Sequence, residues 1–293
     1  MKEILNHLFE HKTLSREQAR EVLLNITAGR YNISQISSFL TVFMMRSITV
    51  EELEGFRNAL LDQCERVDLD AYDPIDLCGT GGDGKDTFNI STLSSFVVAA
   101  TGIPVAKHGN YGVSSSCGSS NVLEALGIQF TTDKDKLERS IEQYNICFLH
   151  APLFHPAMKS VGPIRKDLGV KTFFNMLGPM VNPAFPKKQL VGVFSLELAR
   201  MYGYLYQQQP DISYSILHTL DGYDEISLTS PFKVIADSKE QLLDATDLGL
   251  SRLTQQQIRG GKGIAESAEI FVQVLQGKGT TAQTEVVAAN AGM

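Results

Sequence analysis

The sequence predicts a small helical N-terminal segment followed by a larger α/β domain, in which helices cover a mostly parallel central sheet. Residues 1–67 carry apolar side chains at helical spacing and show no strand pattern. From Tyr72 onward, short apolar runs alternate with helical segments. Gly-rich or polar loops follow several of these runs, as expected at the carboxyl ends of parallel strands.

The N-terminal helices are predicted from their capping residues. Ser15 is a favourable N-cap for a helix over residues 16–27. Thr49 opens another helix, with Glu51 and Glu52 near its positively polarised end. We therefore expect a helical unit at the start of the chain.

The strands are predicted from buried apolar runs. These runs are PIDLC, IPVA, Ile146–Leu149, Gln189–Phe194 and Tyr214–Leu220. Because helical segments separate the first of them, the strands should pair in parallel and be covered on both faces.

Composition and charge narrow the class of protein. The net charge of −7 disfavours a nucleic-acid surface, which requires clustered Lys and Arg. The four cysteines show no CxxC spacing and are interpreted as reduced thiols. Charges interrupt the apolar residues of the N-terminus, and no apolar run approaches the ~18 residues of a membrane helix. We expect a cytoplasmic protein without membrane or nucleic-acid partners.

A Gly-rich loop, Gly79–Gly84, follows the first predicted strand directly, and the polar segment Thr87–Thr92 then opens a helix. Glycines allow backbone N–H groups to approach an anion, and a helix N-terminus favours phosphate. The alternative is a flexible turn with an ordinary N-cap. Neither a Walker loop nor a dinucleotide fingerprint is present.

A second polar segment, Lys107–Ser120, follows the strand IPVA. It offers a cation, an imidazole, an amide and several hydroxyls for phosphate and ribose oxygens. The alternative is a solvated Ser-rich loop, which the apolar segments on either side disfavour.

Two further segments carry charge. Asp224 and Glu225 follow the strand SILHTL, where adjacent carboxylates can hold Mg²⁺, although such pairs are also common on surfaces. Arg165 precedes the segment FFNMLGP, and its guanidinium could receive a carboxylate, although a surface arginine is the simpler interpretation.

Together these motifs resemble the anthranilate phosphoribosyltransferases. The matching segments are GTGGDGKDTFNIST, KHGNYGVSSSCGSSNVLEALG, HPAMKSVGPIRKDLGVKTFFNMLGPMVNPA and LDGYDEISLT, in the order of that family and spread over residues 79–229. Gly260 and Gly261 also fit. The resemblance implies transfer of the 5-phosphoribosyl group from phosphoribosyl pyrophosphate to the amine of anthranilate, in tryptophan biosynthesis.

The resemblance also implies a domain division. Residues 1–70, with a mid-chain contribution near 170–190, would form the small helical domain, and residues 71–293 the α/β domain that binds the donor. A homodimer through the helical domain is expected. Members of the family continue with a further helix pair, so we expect the C-terminal end of this chain to be incomplete.

Site residues follow from the motifs by position. Metal ligands would be Ser91, Asp224 and Glu225, holding two Mg²⁺ ions per subunit. Anthranilate would contact Gly79, Asn110 and Arg165. The donor phosphoribosyl pyrophosphate would contact Gly79, Gly82, Asp83, Thr87, Asn89, Ile90, Ser91, Thr92, Lys107, His108, Gly109, Asn110, Tyr111, Gly112, Val113, Ser114, Ser115 and Ser119. No residue is expected to act as a general base, because the aromatic amine is already neutral at pH 7.

Three residues depart from the pattern of the family. Tyr111 and Ser116 stand where many members have Arg and Lys, and Asn121 where many have Asp. The phosphate site is thus expected to depend more on backbone donors and Lys107. Two alternative functions stay open: an enzyme like the pyrimidine nucleoside phosphorylases, and a non-catalytic relative that binds nucleic acid.

Overall fold

The computed structural model describes residues 1–112, 117–237 and 239–293. Two compact units are present: the first comprises Met1–Arg66 and Pro152–Pro183, and the second comprises Val67–Ala151 and Ala184–Met293. In the part of the chain that the structure describes, none of the helices has the length and apolarity needed to cross a bilayer.

The described residues form α-helices and β-strands, each numbered in chain order. The helices are α1 (Lys2–Phe9), α2 (Arg16–Thr27), α3 (Ile33–Met45), α4 (Val50–Asp62), α5 (Ile90–Ala100), α6 (Ser119–Ala125), α7 (Lys134–Tyr144), α8 (Ala151–Phe154), α9 (Gly162–Leu168), α10 (Phe174–Leu177), α11 (Leu196–Gln207), α12 (Ile264–Leu275) and α13 (Thr281–Ala291). The strands are β1 (Ile75–Gly79), β2 (Val105–Gly109), β3 (Ile146–His150), β4 (Lys188–Gly192), β5 (Ser213–Thr219), β6 (Phe232–Ala236) and β7 (Lys239–Leu243).

The first unit is a helical bundle whose helices begin at the predicted caps. Ser15 and Thr49 each form a reciprocal capping box with the residue three positions later. The Thr49 partner, Glu52, is fully buried. Its carboxylate accepts from the Leu14 N–H at 2.9 Å and pairs with Arg46 at 2.6 Å, so the buried charge is satisfied.

The mid-chain segment that joins this bundle is Pro152–Pro183, whereas the sequence led us to expect a contribution near 170–190. Aromatic packing joins this segment to the bundle. The ring of Phe173 stacks on Phe56 with centroids 4.3 Å apart and meets the edge of Phe43 at 5.3 Å. All three side chains are buried. Burial of this aromatic cluster contributes to the apolar core of the unit.

The second unit contains a sheet with the strand order β3-β2-β1-β4-β5-β6-β7. Strands β1 to β5 pair in parallel, and β6 and β7 complete the edge in antiparallel pairing. The fold class is therefore the predicted one: a small helical domain and a larger α/β domain with a mostly parallel sheet. The chain proceeds from β1 towards β3 on one side and from β4 towards β7 on the other, so the topological switch point lies between β1 and β4.

Candidate active site at the sheet switch point

The carboxyl ends of β1 and β4 lie side by side and are both glycine. Gly79 pairs with Gly192 in the sheet, and the Thr80 N–H donates to the Gly192 carbonyl at 2.9 Å. A Cβ on Gly192 would lie 1.4 Å from the backbone oxygen of Asp224, and one on Gly79 would lie 2.6 Å from its carboxylate. The two glycines thus leave the space that Asp224 occupies.

Three carboxylates, those of Asp83, Asp224 and Glu225, gather at this point. An oxygen of Asp224 accepts from the Gly81 N–H at 2.7 Å, which fixes the Gly-rich loop. The carboxylate of Glu225 accepts from the Ser91 N–H at 3.3 Å and the Thr87 hydroxyl at 3.4 Å. The first turn of α5 is thereby held beside the acidic pair.

Burial raises the pKa of all three carboxyls, and neighbouring carboxylates raise those of Asp224 and Glu225 further. Burial, then the charge of Asp83, raises the pKa of Asp224 to about 7. Burial and the charge of Asp224 raise the pKa of Glu225 well above its usual range. Burial also raises the pKa of Asp83, while hydrogen bonds and the Lys85 charge oppose this. Such a cluster is costly without a cation, because desolvation and mutual repulsion disfavour the charged forms.

The donor set fits a hard divalent cation that a substrate completes. Among the described residues, no group of three or more His, Cys, Asp or Glu side chains is arranged to hold a metal by itself. Mg²⁺ typically takes one or two carboxylates together with waters and substrate phosphates. Thr80 belongs to the Gly-rich loop and Thr92 follows Ser91 in α5. The hydroxyl oxygen of each is buried and has no hydrogen-bond partner in the described part of the chain. The carboxylates therefore offer oxygen ligands for a cation, and the two threonine hydroxyls are polar groups that still lack a partner.

The Gly-rich loop turns through left-handed backbone at Gly81, Gly82 and Gly84, with φ of 61°, 72° and 74°. At its end Asn89 is the N-cap of α5, but its side chain makes no capping bond and instead donates to the Cys117 carbonyl at 3.0 Å. The first turn of α5, which includes Ile90, is therefore bonded to the Glu225 carboxylate through the Ser91 N–H and not to the side chain of its own N-cap residue.

Lys107 and His108 lie within β2, before its last residue, Gly109. The Lys107 ammonium is buried and donates to the Leu77 carbonyl at 2.5 Å; burial lowers its pKa, and the nearby Asp76 opposes this. The backbone N–H of His108 donates to Asp76 Oδ1 at 3.2 Å. In this structure Lys107 is therefore directed into the sheet and contributes positive potential from within it.

Past Gly109, the loop is tied at both ends to α6. The Ser119 hydroxyl bonds to the N–H and carbonyl of Asn110, each at 3.2 Å. Asn121 Oδ1 accepts from the N–H groups of Gly112 and Gly118, at 2.9 and 3.0 Å. An Asp oxygen would accept the same two bonds, so Asn121 preserves this function of the position.

Tyr111 has a different role from the arginine expected at its position. Its hydroxyl donates to Glu124 at 2.9 Å, and its ring meets the edge of His150 at 4.7 Å. It anchors the loop to α6 and supplies no positive charge. The predicted donor contacts Val113, Ser114 and Ser115, with the departure Ser116, lie outside the described residues.

Arg165 belongs to the helical unit, on α9. Its guanidinium donates to Asn175 Oδ1 at 3.2 Å and lies 5.2 Å from the centroid of Phe174. Burial lowers its pKa. Within the described residues it forms no ion pair with a carboxylate. A partly buried guanidinium held only by a neutral amide and a ring is prepared to receive an anion.

Sequence reasoning missed three contributors to these arrangements. Gly192 had no assigned role. Asp83, which we predict to contact the donor, also lies against Asp224. Asn175, which accepts from Arg165 and from the Thr172 N–H at 3.1 Å, orients the guanidinium. Tyr223, which directly precedes Asp224, provides a ring face to the Lys85 ammonium. A Gly at the end of a predicted strand was the available signal for Gly192.

Replacing Gly192 by Ala should damage the site and the fold together. The new Cβ would overlap the Asp224 backbone, so we expect a loss of about 1–3 kcal/mol in the free energy of unfolding and a large drop in turnover. Thermal denaturation and steady-state kinetics check this. Gly203→Ala is the matched control, since its Cβ would approach only Ile235 at 3.6 Å. Equal behaviour of the two variants would contradict the steric role of Gly192.

Comparisons with known proteins agree with the fold of the two units. Residues 2–64 match a family model described as the helical bundle domain of a glycosyl transferase family, and residues 71–293 match its a/b domain. Anthranilate phosphoribosyltransferases of Christiangramia forsetii and Flavobacterium johnsoniae are each 66% identical over the whole chain, which covers 88% of either relative.

Solved structures agree as well. The structure of the anthranilate phosphoribosyltransferase of Thermus thermophilus aligns with a TM-score of 0.90 at 32% identity, covering 98% of this chain and 87% of that one. The Saccharomyces cerevisiae enzyme in complex with PRPP and Mg also gives 0.90, at 28% identity, covering 98% and 85%. Its complex with 4-fluoroanthranilate gives 0.86 at 27% identity, with the same coverage.

Proposed function

Because the chain belongs to the anthranilate phosphoribosyltransferase family, we propose that it transfers the 5-phosphoribosyl group from phosphoribosyl pyrophosphate to the amine of anthranilate. The products are N-(5-phosphoribosyl)anthranilate and pyrophosphate, in tryptophan biosynthesis. The observation that carries the proposal is the buried pair Asp224–Glu225, joined to the Gly-rich loop through Gly81 and to the start of α5 through Ser91.

A fluorescence assay tests the function directly. Purified protein, phosphoribosyl pyrophosphate and MgCl₂ should consume anthranilate, seen as a loss of its fluorescence. Omission of the donor is the control. Phosphorolysis of thymidine or uridine without anthranilate turnover would instead support the nucleoside phosphorylase alternative, and nucleic-acid binding without either activity would support the non-catalytic one. The chain's net charge of −7 disfavours the latter.

The reaction breaks the bond between ribose C1 and a pyrophosphate oxygen and forms a bond between C1 and the anthranilate nitrogen, which then loses a proton to solvent. Mg²⁺, when bound, neutralises charge that develops on the leaving pyrophosphate. The acidic pair and Ser91 would hold the metal, two ions per subunit in our proposal. Backbone N–H groups of the Gly-rich loop and the α5 N-terminus would bind the phosphates.

For the acceptor, the chain supplies a guanidinium and neutral polar groups. Arg165 would bind the anthranilate carboxylate, because it is partly buried and has no acidic partner among the described residues. Asn110 and Gly79 are the other proposed contacts. No side chain is assigned as a general base, since a neutral aromatic amine needs positioning and not deprotonation before attack.

We also propose a homodimer formed through the helical unit. That unit exposes Phe9, Ile33 and Met45 at 58%, 66% and 84% of their surface, which is apolar area that a partner subunit would cover. Sedimentation equilibrium should give about twice the chain mass of 32.2 kDa. The variant Ile33→Glu/Met45→Glu should shift the protein towards the monomer, whereas Leu242→Glu, on an exposed strand of the α/β unit, should not. A wild-type monomer at micromolar concentration would reject the proposal.

A cytoplasmic location completes the proposal. All four cysteines are free, and three of them, Cys78, Cys117 and Cys147, are buried. Burial raises the pKa of each of these thiols, which keeps them unreactive. Unpaired cysteines are typical of a reducing compartment.

A further inference from the structure

Lys85 occupies a distinctive place at the end of the Gly-rich loop. Its backbone N–H donates to Asp83 Oδ1 at 2.9 Å, which fixes the backbone beside the acidic cluster. Its ammonium lies 4.7 Å from the ring centroid of Tyr223, the buried residue that directly precedes Asp224. The side chain therefore extends from the end of the Gly-rich loop across to the loop that carries the acidic pair.

The charge of Lys85 is available to a ligand. Residues 75–91 and 219–229 contain no other Lys or Arg. In the described part of the chain, the Lys85 ammonium forms no ion pair and rests on the aromatic face of Tyr223. The side chain is only half-buried. Lys107, by contrast, is buried and bound to the Leu77 carbonyl.

This arrangement suits a polyanion. A lysine is a point charge on a flexible stem, and its ammonium binds phosphate without a fixed geometry. Contact with an aromatic face stabilises the cation weakly and restricts its conformations, so the ammonium is held near the loop at little cost and can leave the ring when a stronger partner arrives. A diphosphate bound by the Gly-rich loop would bring such a partner.

We propose that Lys85 is a ligand of the diphosphate of the donor, with the Tyr223 ring as its resting place in the free protein. This inference rests on the proposed function, because the donor is identified there. It adds an accessible side-chain cation to a phosphate site that otherwise consists of backbone N–H groups, hydroxyls, the buried Lys107 and a metal held by carboxylates.

Calorimetric titration of the full chain with inorganic pyrophosphate and MgCl₂ tests the proposal without turnover. Lys85→Met should weaken pyrophosphate binding by about tenfold or more. Lys85→Arg should retain most of the affinity. The matched control is Lys134→Met, which removes the same charge from the exposed start of α7. The binding of the wild type should also depend more steeply on salt than that of Lys85→Met.

Kinetics separate this role from a structural one. Lys85→Met should raise the KM for phosphoribosyl pyrophosphate and leave the KM for anthranilate and the melting temperature unchanged. Tyr223→Leu should weaken pyrophosphate binding by a smaller factor. If Lys85→Met binds pyrophosphate as tightly as Lys134→Met, the proposal is overturned. A wild type that binds pyrophosphate through Lys85 but does not consume anthranilate would reject the proposed function and leave this inference standing.

Discussion

The double variant Asp224→Asn/Glu225→Gln should lose turnover by at least about a hundred- to a thousandfold while staying folded. The amides keep the size of the side chains but remove the charge that would hold Mg²⁺ at the sheet switch point. Since burial and mutual repulsion raise the pKa of both carboxyls, the neutral amides should also raise the free energy of unfolding of the metal-free protein.

Three measurements check this prediction: anthranilate fluorescence, the melting temperature without metal, and calorimetric binding of Mg²⁺-pyrophosphate. The matched control is Asp135→Asn/Glu138→Gln, an acidic pair exposed on α7. It should change none of the three. Full activity of the Asp224/Glu225 variant, or undiminished wild-type activity in EDTA, would show that the acidic pair does not serve a metal.

The second large effect is expected at Arg165. Arg165→Ala should raise the KM for anthranilate by about thirtyfold or more. Removing one partner of a buried charge pair costs about 2–5 kcal/mol, and about 1.4 kcal/mol corresponds to a tenfold change in affinity. The KM for phosphoribosyl pyrophosphate should stay unchanged. Arg165→Lys should recover little, since an ammonium cannot offer the two parallel N–H donors of a guanidinium.

Two companion variants make the test specific. Lys166→Ala removes a neighbouring exposed charge from the same helix and should leave both KM values unchanged. Asn175→Ala should raise the anthranilate KM by a smaller factor than Arg165→Ala, because Asn175 orients the guanidinium through the 3.2 Å hydrogen bond. If Arg165→Ala weakens the donor as much as anthranilate, Arg165 contacts phosphate or supports the fold instead.

Local patterns were enough to predict the parallel strands and the helix starts. Strand β1 and the Gly-rich loop are contiguous in sequence, and Ser15 and Thr49 mark helix starts through bonds to residues three positions away. The antiparallel edge was not predicted. Strand β7 is exposed along nearly its whole length, so the sequence KEQLL carries no alternation of buried and exposed positions.

The contributors that sequence reasoning missed depend on long-range packing. The role of Gly192 follows from the backbone of Asp224, and that of Phe173 from a ring more than a hundred positions earlier. We predict Asp83 as a contact of the donor from its place in the Gly-rich loop, and no neighbouring residue in the sequence indicates that it also lies against Asp224. Such proximity is set by the pairing of β1 with β4 and cannot be deduced from spacing along the chain.

The acidic pair also has a consequence for biosynthesis of the chain. The hydrogen bonds that join the Gly-rich loop and α5 to this pair connect residues 143 and 134 positions apart. At about 5–20 residues per second, a ribosome needs about 7 to 30 seconds to make that intervening stretch. During this interval the Gly-rich loop exists without the two carboxylates that we propose to hold the metal, so nascent chains should not capture the donor. Burial of the carboxylates, which costs desolvation free energy, is thereby deferred until strands β1, β4 and β5 are all available to enclose them.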